Sequence, residues 1–370
     1  MATQPLLEPL QLGALELPNR VIMAPLTRMR ATPIGNVPQL MNEQYYQQRA
    51  SAGLIISEAT PVNPWGHGYA LTPGIHSDEQ EHGWKAVVDG VHRVGGRIYL
   101  QLWHVGRLSH PDLLPEQGQP VAPSALPGLG EAPTLEGMKE RPMPRALTLE
   151  EVEQTIEDFR QAAIRAQRAG FDGVEIHGAN GYLLEQFLSD SSNHREDRYG
   201  GSLENRARFM LEITAKVVDV WGGDRVGIRL SPANTHGNIA TSNRFDTYRY
   251  VIEELNRYNL AYIHLVEPRV DGSQTVEDRH AELYASKFRP HVKGDTRIIA
   301  AGGHTRESGN EAIASGAVDA VAYGRLFISN PDLPERFSLE APLNPYNRDT
   351  FYGGSEEGYL DYPTLEHSAR

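Results

Sequence analysis

The sequence predicts an α/β protein folded as a (β/α)8 barrel, the architecture called the TIM barrel. Two observations predict this fold: eight short, nearly continuous apolar runs, and amphipathic stretches that separate each run from the next. Runs of this kind are typical of parallel strands that are buried on both faces. Because strand and helix alternate about eight times, we expect the sheet to close. An open doubly wound sheet is the alternative, since the number of strands does not prove closure.

The predicted strands are short and are spread along most of the chain. In order they are Arg20–Met23, Leu54–Glu58, Arg97–Leu102, Gly173–His177, Arg225–Leu230, Tyr262–Val266, Arg297–Ala301 and Ala320–Tyr323. Leu10–Leu17 precedes the first strand and predicts a small N-terminal hairpin that closes the barrel floor. After the third strand, the Pro- and Gly-rich stretch Ser109–Ala146 predicts a long insertion. No second domain is indicated, so we expect residues 1–370 to form one barrel domain.

The stretches between the strands have helical spacing and helix start signals. In two of them apolar residues recur at intervals of three and four, which places them on one helix face. These residues are Val152, Ile156, Phe159 and Ala163 in one stretch, and Met210, Ile213, Val217 and Val220 in the other. Ser77 with Gln80, and Thr148 with Glu151, have the spacing of capping boxes and predict where two helices begin.

The composition argues against several classes of function. The 370 residues carry a formal net charge of −13, whereas a nucleic-acid-binding surface needs clustered Lys and Arg. Without cysteine the chain cannot form disulfides, use a catalytic thiolate, or hold iron–sulfur clusters or Cys-ligated zinc. The N-terminus lacks the pattern of a signal peptide, and no run approaches the ~20 apolar residues of a membrane helix. We therefore expect a cytoplasmic protein with small-molecule ligands and no nucleic-acid or membrane partner.

The ends of strands seven and eight form the first candidate site. TIM barrels place their active sites at the C-terminal ends of the strands, and phosphates often bind after strands seven and eight. Here strand seven is followed by Gly302 and Gly303, and strand eight by Gly324 and Arg325. Glycine lets backbone N–H groups approach a phosphate closely, and Arg adds a charge-assisted bond. The glycines could simply turn the chain, but two such ends on these two strands favour phosphate binding.

Other strand ends carry polar and aromatic residues. At the ends of strands one, three, four and five stand Pro25, Leu26 and Thr27, then Gln101 and Trp103, then His177, Asn180 and Tyr182, and then Arg229. Polar side chains among glycines at a strand end indicate a site that touches a ligand. Three alternatives stay open: a structural histidine at His177, a buried ion pair for Arg229, and core packing for Trp103.

Motifs of several other enzyme classes are missing. No GxGxxG follows a strand, so we do not expect a nicotinamide nucleotide on a Rossmann unit. The chain has neither a GxSxG elbow nor an HExxH helix motif. It also lacks the His-x-His pair typical of metal-dependent barrel hydrolases. We expect no metal site.

Several motifs, in register over nearly the whole chain, resemble the old yellow enzyme family. The likeness is to its bacterial ene-reductase, N-ethylmaleimide reductase and nitroester reductase members. The most specific stretches are Asn19–Met29, Gln101–Arg107, Asp172–Leu188, Asn193–Arg206 and Tyr323–Ile328. The resemblance implies an FMN-dependent oxidoreductase that holds FMN noncovalently at the barrel mouth and takes hydride from NAD(P)H.

The resemblance also implies how each residue would meet the flavin. By the family pattern the isoalloxazine ring is lined by Pro25, Leu26 and Thr27, its pyrimidine edge by Ala59 and Gln101, and its phosphate by Gly302, Gly303, Gly324 and Arg325. Arg229 matches the arginine at the N1–O2 edge, where it would stabilise negative charge on reduced flavin.

On the substrate side, His177 and Asn180 match the pair that hydrogen-bonds the substrate oxygen, and Tyr182 matches the proton donor. Hydride from flavin N5 would add to the β-carbon while these two donors stabilise the enolate. A tyrosine, with an ordinary pKa of about 10, would then protonate the α-carbon. The aromatic residues matched to the substrate cavity are Tyr69, Trp103 and Tyr352. After strand five, Gly237 stands where the family often has Gln, which leaves the pocket size open.

The family's range of oxidants covers enones, maleimides, nitroalkenes and nitrate esters, and we expect the substrate within it. The oligomeric state stays open between a monomer and a homodimer. Two other functions are weighed: a flavin-free, phosphate-binding isomerase or aldolase, and a protein that binds FMN without turnover. The first leaves Thr27, Gln101 and Arg229 without a role.

Overall fold

The computed structural model describes residues 4–271, 274–276 and 280–365. Eight strands form a closed barrel in which neighbours in the chain are parallel and the eighth strand pairs with the first. The strands are β1 (Val21–Met23), β2 (Leu54–Pro61), β3 (Ile98–Trp103), β4 (Gly173–His177), β5 (Val226–Leu230), β6 (Tyr262–Val266), β7 (Arg297–Ala301) and β8 (Ala320–Tyr323). The predicted (β/α)8 fold is confirmed, and the open sheet is wrong.

The predicted strand bounds agree with the structure to within one residue except at β2, which continues past Glu58 to Pro61. A bulge explains the difference, because the register against β3 shifts between Ile56 and Ala59. The Ser57 hydroxyl accepts a hydrogen bond of 3.1 Å from the backbone N–H of Gln101. The bulge thus brings Ala59 opposite Gln101 at the end of the strand.

Helices surround the barrel. They are α1 (Leu40–Gln48), α2 (Asp78–Arg93), α3 (Leu149–Ala169), α4 (Leu183–Leu188), α5 (Leu203–Trp221), α6 (Arg244–Leu255), α7 (Ala285–Phe288), α8 (Arg306–Ala314), α9 (Arg325–Ser329) and α10 (Leu333–Ser338). The predicted apolar faces of α3 and α5 pack into the core, and Ser77 and Thr148 form the predicted capping boxes at the starts of α2 and α3. In the described part of the chain, none of the helices has the length and apolarity needed to cross a membrane.

The N-terminal end of the barrel is closed by the predicted hairpin. Its strands, Leu10–Leu12 and Leu15–Leu17, pair antiparallel. Leu10, Leu12 and Leu17 are buried in one cluster with barrel residues such as Tyr99 and Tyr262. Because this end is filled with apolar side chains, the opening of the barrel lies at the other end.

The insertion after β3 carries a second hairpin, formed by Glu131–Thr134 and Gly137–Glu140. At its base, Val121–Ala122 pairs in parallel with Arg145–Ala146. The backbone N–H of Ala70 donates to the carbonyl of Pro133 at 2.9 Å. This bond ties the insertion to the loop after β2, next to Tyr69. A further short hairpin after β6 pairs Val270–Asp271 with Gln274–Thr275.

Candidate active site

A cavity of about 590 Å³ opens at the C-terminal ends of the barrel strands. All sixteen residues that the sequence predicts for the site line it. They are Pro25, Leu26, Thr27, Ala59, Tyr69, Gln101, Trp103, His177, Asn180, Tyr182, Arg229, Gly302, Gly303, Gly324, Arg325 and Tyr352. The structure therefore brings together residues that lie more than 300 positions apart in the chain.

Arg229 at the end of β5 brings a positive charge to the cavity. Its guanidinium forms no hydrogen bond or ion pair with any residue that the structure describes, and its buried Nε has no partner. Burial lowers the pKa of Arg229, while Glu175 opposes this shift. The predicted alternative, a structural ion pair for Arg229, is not seen among these residues. A partly buried cation left with free donors fits an electron-rich ligand edge.

Below Arg229, three buried side chains form a hydrogen-bonded chain. Gln101 donates its side-chain N–H to Glu175 at 2.7 Å, and the other carboxylate oxygen of Glu175 lies 2.9 Å from Nδ1 of His264. The carboxylate fixes the amide of Gln101, whose oxygen is left as an acceptor for a ligand. Register supports this arrangement, because Glu175 pairs with Gln101 across β3 and β4.

The opposite end of the cavity has the features of a phosphate site. Gly302 and Gly303 have φ angles of 145° and 67°, which side chains rarely adopt. A Cβ atom built on Gly303 would meet no atom within 4 Å, so this backbone is open to a ligand. Arg325 donates to the Thr275 hydroxyl at 2.9 Å but forms no ion pair within the described ranges. Its remaining N–H groups can bind an anion.

His177 and Asn180 stand together on one wall. His177 is 3% exposed, and burial, followed by Arg229 and His264, holds its pKa well below the ordinary value. The imidazole is therefore neutral. The backbone N–H of Ala179 donates to Nδ1 of His177 at 3.3 Å, which leaves the proton on Nε2. The side-chain amide of Asn180 forms no hydrogen bond with another described residue. Both side chains can donate to a ligand oxygen.

Tyr182 completes this wall and retains its proton. Its ring makes edge-to-face contacts with Trp103 and His177, each with a centroid distance of 5.0 Å. Its hydroxyl lies 3.0 Å from the Tyr69 hydroxyl. Burial, and then the neighbouring Tyr69, raise the pKa of Tyr182 well above its ordinary value. Trp103 is fully buried yet lines the cavity, so core packing and a site role coincide.

The mouth of the cavity is lined by the C-terminal segment that contains Phe351 and Tyr352. A stack of aromatic rings and guanidinium groups packs beside this segment. Phe351 and Tyr352 on this segment line the cavity, and Tyr352 is 50% exposed. The stack consists of Arg49, Tyr45, Tyr359 and Arg30, and is called the arginine–tyrosine stack below. Its successive members lie 3.8, 4.1 and 4.5 Å apart, measured between guanidinium carbons and ring centroids.

The sequence reasoning missed several lining residues. Val266, His304 and Thr305 follow or end barrel strands, so the strand-end rule that found the others also applies to them. His236, Tyr346 and Phe351 lie on loops. Nothing in the spacing of the sequence predicts that these loops return to the barrel mouth.

One expectation needs correction. Gly237 does not line the cavity; it is buried, and a Cβ atom at this position would lie 2.8 Å from Leu108. Its neighbour His236 lines the cavity instead. The three-residue turn at His236–Asn238, where Gly237 has a φ of 69°, directs Gly237 toward Leu108. The pocket size at this position is therefore set by a histidine.

The donor set fits FMN. A ring with a polar pyrimidine edge matches the free donors of Arg229 and the oriented amide of Gln101, and a terminal phosphate matches Gly303 and Arg325. Pro25, Leu26 and Ala59 give apolar contact to a flat ring between these two ends. No carboxylate lines the cavity among the described residues, which suits an anionic cofactor.

The comparisons with known proteins agree with this fit. The family model described as the NADH:flavin oxidoreductase / NADH oxidase family matches residues 5–344. The 12-oxophytodienoate reductase 1 of Oryza sativa subsp. japonica is 49% identical over 371 residues, covering 99% of this chain and 94% of that protein.

Solved structures are similar to this chain over nearly its whole length. Morphinone reductase has 49% identity and a TM-score of 0.92, with 100% of this chain and 98% of that chain covered. Its complex with tetrahydroNAD has 48% identity and a TM-score of 0.91, with 99% of each chain covered. The old yellow enzyme homologue from Zymomonas mobilis has 40% identity and a TM-score of 0.93, with 97% and 99% covered. The chain therefore belongs to the NADH:flavin oxidoreductase / NADH oxidase family, that of the old yellow enzyme, and is an oxidoreductase whose cofactor is FMN.

Proposed function

We propose that this oxidoreductase is an ene-reductase, which uses NAD(P)H to reduce the activated C=C bond of small electrophilic alkenes. The observation that carries the proposal is the wall formed by His177, Asn180 and Tyr182. It places two donors for a substrate oxygen beside a protonated acid, in the same cavity as the residues that can bind the flavin. When bound, FMN supplies hydride transfer, from the nicotinamide to the flavin and then to the alkene.

His177 and Asn180 bind the substrate's carbonyl oxygen in this proposal. Charge develops on that oxygen as the β-carbon gains hydride, and two preorganised donors stabilise it most strongly at that moment. A neutral imidazole with its proton on Nε2 suits this role, because it donates without bringing a full charge. The free amide of Asn180 supplies the second donor.

Tyr182 protonates the α-carbon. Its raised pKa keeps the proton on the hydroxyl at neutral pH, and the hydrogen bond with Tyr69 offers a route for its replacement. The flavin-side residues Pro25, Leu26, Thr27, Ala59, Gln101, Arg229, Gly302, Gly303, Gly324 and Arg325 take the roles that the family pattern implies. Tyr69, Trp103 and Tyr352 enclose the substrate.

Simple enones fit this wall, because their carbonyl oxygen can accept from both His177 and Asn180. The similar proteins named as 12-oxophytodienoate reductase and morphinone reductase support an oxygen-bearing substrate. Maleimides and nitroalkenes also present an oxygen to the two donors beside an activated C=C bond, and we include them in the proposed range. Nitrate esters present such oxygens without a C=C bond and are proposed as a second class of oxidant.

An anaerobic titration tests the function. We expect NADH or NADPH to bleach the flavin absorption of the purified protein, and 2-cyclohexenone to restore it while cyclohexanone accumulates. Cyclohexanone itself, which has the oxygen but no C=C bond, is the control and should leave the flavin reduced. Bleaching without reoxidation by any activated alkene would leave a flavoprotein that is not an ene-reductase.

Tyr182→Phe tests the proton donor separately. Reoxidation by 2-cyclohexenone should slow by roughly 10²–10⁴-fold, the usual contribution of a positioned general acid. Flavin reduction by the nicotinamide should change little, and reoxidation by a nitroalkene should suffer much less, because the product can leave as a stable nitronate. Stopped-flow absorbance resolves both steps. Equal slowing with both oxidants would mean that the proton comes from elsewhere.

A further inference from the structure

A buried carboxylate that the proposed chemistry does not use lies behind the wall formed by His177, Asn180 and Tyr182, which is called the substrate wall below. Glu185 on α4 is 1% exposed, and four donors surround its carboxylate. One oxygen accepts from the backbone N–H of Gly181 at 2.5 Å and from the side chain of Asn234 at 3.0 Å. The other accepts from the hydroxyls of Tyr248 and of Ser231, the latter at 3.1 Å. Glu185 thus joins the loop after β4 to the loop after β5 and to α6.

The hydroxyl of Ser231 continues this network to the substrate wall. It accepts a hydrogen bond of 2.8 Å from the backbone N–H of Asn180. Two successive amide groups, those of Asn180 and Gly181, are therefore held by the Glu185–Ser231 pair. Ser231 is 2% exposed, so no solvent molecule can easily replace its hydroxyl.

These two amides belong to an unusual turn. Asn180 and Gly181 have φ angles of 58° and 80°, so two consecutive residues lie in the left-handed region. A conformation of this kind persists only when its surroundings fix it. A Cβ atom on Gly181 would lie 2.3 Å from the carbonyl oxygen of His236, which shows how closely the two loops pack. The direction of the Asn180 side chain depends on this turn.

We propose that Glu185 and Ser231 are positioning residues for Asn180, and that they hold its amide at the substrate oxygen through the backbone of the turn. The inference rests on the proposed function, in which Asn180 binds that oxygen. Glu185 and Ser231 do not line the cavity, so any effect they have on ligand binding must pass through the residues they hold.

The test measures affinity for an oxygen ligand in the holoenzyme. The probe is p-hydroxybenzaldehyde, whose phenol oxygen can accept from His177 and Asn180, and binding is followed by the change in flavin absorption. Ser231→Ala should weaken its binding by about five- to tenfold, the usual effect of one lost hydrogen bond. Glu185→Gln should weaken it too, and the flavin content should not change.

Ser192→Ala is the matched control. Ser192 is also a buried serine near α4, but its hydroxyl donates to the backbone oxygen of Gln186 at 2.7 Å and does not reach the turn. We expect this variant to lose some thermal stability and to bind the phenol like the wild type. Equal weakening in Ser192→Ala and Ser231→Ala would reduce the effect to general destabilisation and overturn the proposal.

A double-mutant cycle separates positioning from structure. If Ser231 acts through Asn180, then Ser231→Ala should have almost no effect on affinity once Asn180→Ala is present. If the fold-changes in affinity of Ser231→Ala and Asn180→Ala instead multiply in the double variant, the two residues act independently and the proposal is overturned. Wild-type affinity in Ser231→Ala, with weakened binding in Asn180→Ala, would overturn this inference alone. Unchanged binding in Asn180→Ala would overturn the proposed function with it. If Glu185→Gln does not fold, the serine variants still decide the outcome.

Discussion

Two groups of arginines differ in how their donors are used: Arg30 and Arg49 of the arginine–tyrosine stack are buried, whereas Arg229 and Arg325 at the cavity are partly exposed. In the arginine–tyrosine stack, all three guanidinium nitrogens of Arg30 and of Arg49 have hydrogen-bond partners. The acceptors for Arg49 include the backbone oxygens of Tyr45, Phe327 and Ile328. In the cavity, Arg229 has no hydrogen-bond partner and Arg325 has only the Thr275 hydroxyl, among the residues that the structure describes.

The use of the guanidinium donors separates a structural cation from a ligand-binding one. A buried charge is costly unless it is paired and hydrogen-bonded, so the stack arginines stabilise the fold only because their donors are used. The cavity arginines keep most of their donors free, so the fold gains little from them until an anion binds. The use of the donors distinguishes the two groups, and the partial exposure of Arg229 and Arg325 to the cavity agrees with it.

Arg49→Met should have the largest effect on stability. The substitution leaves three buried carbonyl groups without a donor, at a cost of about 1–3 kcal/mol each, so we expect a loss of at least about 3 kcal/mol in the free energy of unfolding. Denaturant unfolding of the apoprotein measures it. A loss below about 1 kcal/mol would show that the hydrogen bonds of Arg49 contribute little to the stability of the fold.

Arg325→Ala should act on the cofactor rather than on the fold. Removing a charge-assisted bond to a phosphate, worth about 1.5–3 kcal/mol, should weaken FMN binding by roughly 10- to 100-fold. Fluorescence titration of the apoprotein with FMN measures the affinity. Arg348→Ala is the control, because Arg348 lies 5.7 Å from the same Tyr346 ring as Arg325 but does not line the cavity. Equal losses in both variants would contradict a phosphate role.

Glu185 is a buried group whose contribution to the stability of the fold should depend on pH, with a smaller effect than the arginine substitutions. Burial raises the pKa of Glu185 from 4.5 to about 7, although its hydrogen bonds oppose the shift. A raised pKa in an acid means that the folded state holds the proton more tightly. Its stabilising contribution is therefore present below the unfolded value of 4.5 and is lost as the pH rises through 7.

The stability of the wild type relative to Glu185→Gln should accordingly fall by about 2 kcal/mol between pH 5 and pH 8. The variant is the matched reference, because the other titrating groups are common to both proteins and cancel in the difference. Denaturant unfolding across this pH range measures it. A difference that stays constant or grows with pH would mean that Glu185 remains ionised in the folded protein.

The sequence was sufficient for the barrel and for most of the cavity. Both follow from local signals: continuous apolar runs predict buried parallel strands, and the topology then requires that strand ends meet on one face. That is why Arg229 and Gly303, 74 positions apart, could be assigned to one site. The roles of the individual residues came from the resemblance to the family rather than from spacing.

Features that depend on long-range packing could not be predicted. The arginine–tyrosine stack joins Tyr45 to Tyr359, which are separated by most of the chain and lie outside any periodic pattern. The extension of β2 depends on a bulge in which Ser57 replaces a ladder contact. The exchange of Gly237 for His236 at the cavity wall depends on one turn. In each case a tertiary contact, not a local preference, decides the outcome.

Unfolding of Arg229→Met with and without FMN shows whether Arg229 serves the cofactor or the fold. Removing a partly buried cation that has no hydrogen-bond partner among the described residues should leave the apoprotein within about 0.5 kcal/mol of the wild type, or make it more stable. The additional stability that saturating FMN confers, about 2.7 kcal/mol at one hundred times the dissociation constant, should fall clearly in the variant at the same FMN concentration. An apoprotein weakened as much as that of Arg49→Met, with the FMN increment intact, would contradict the account.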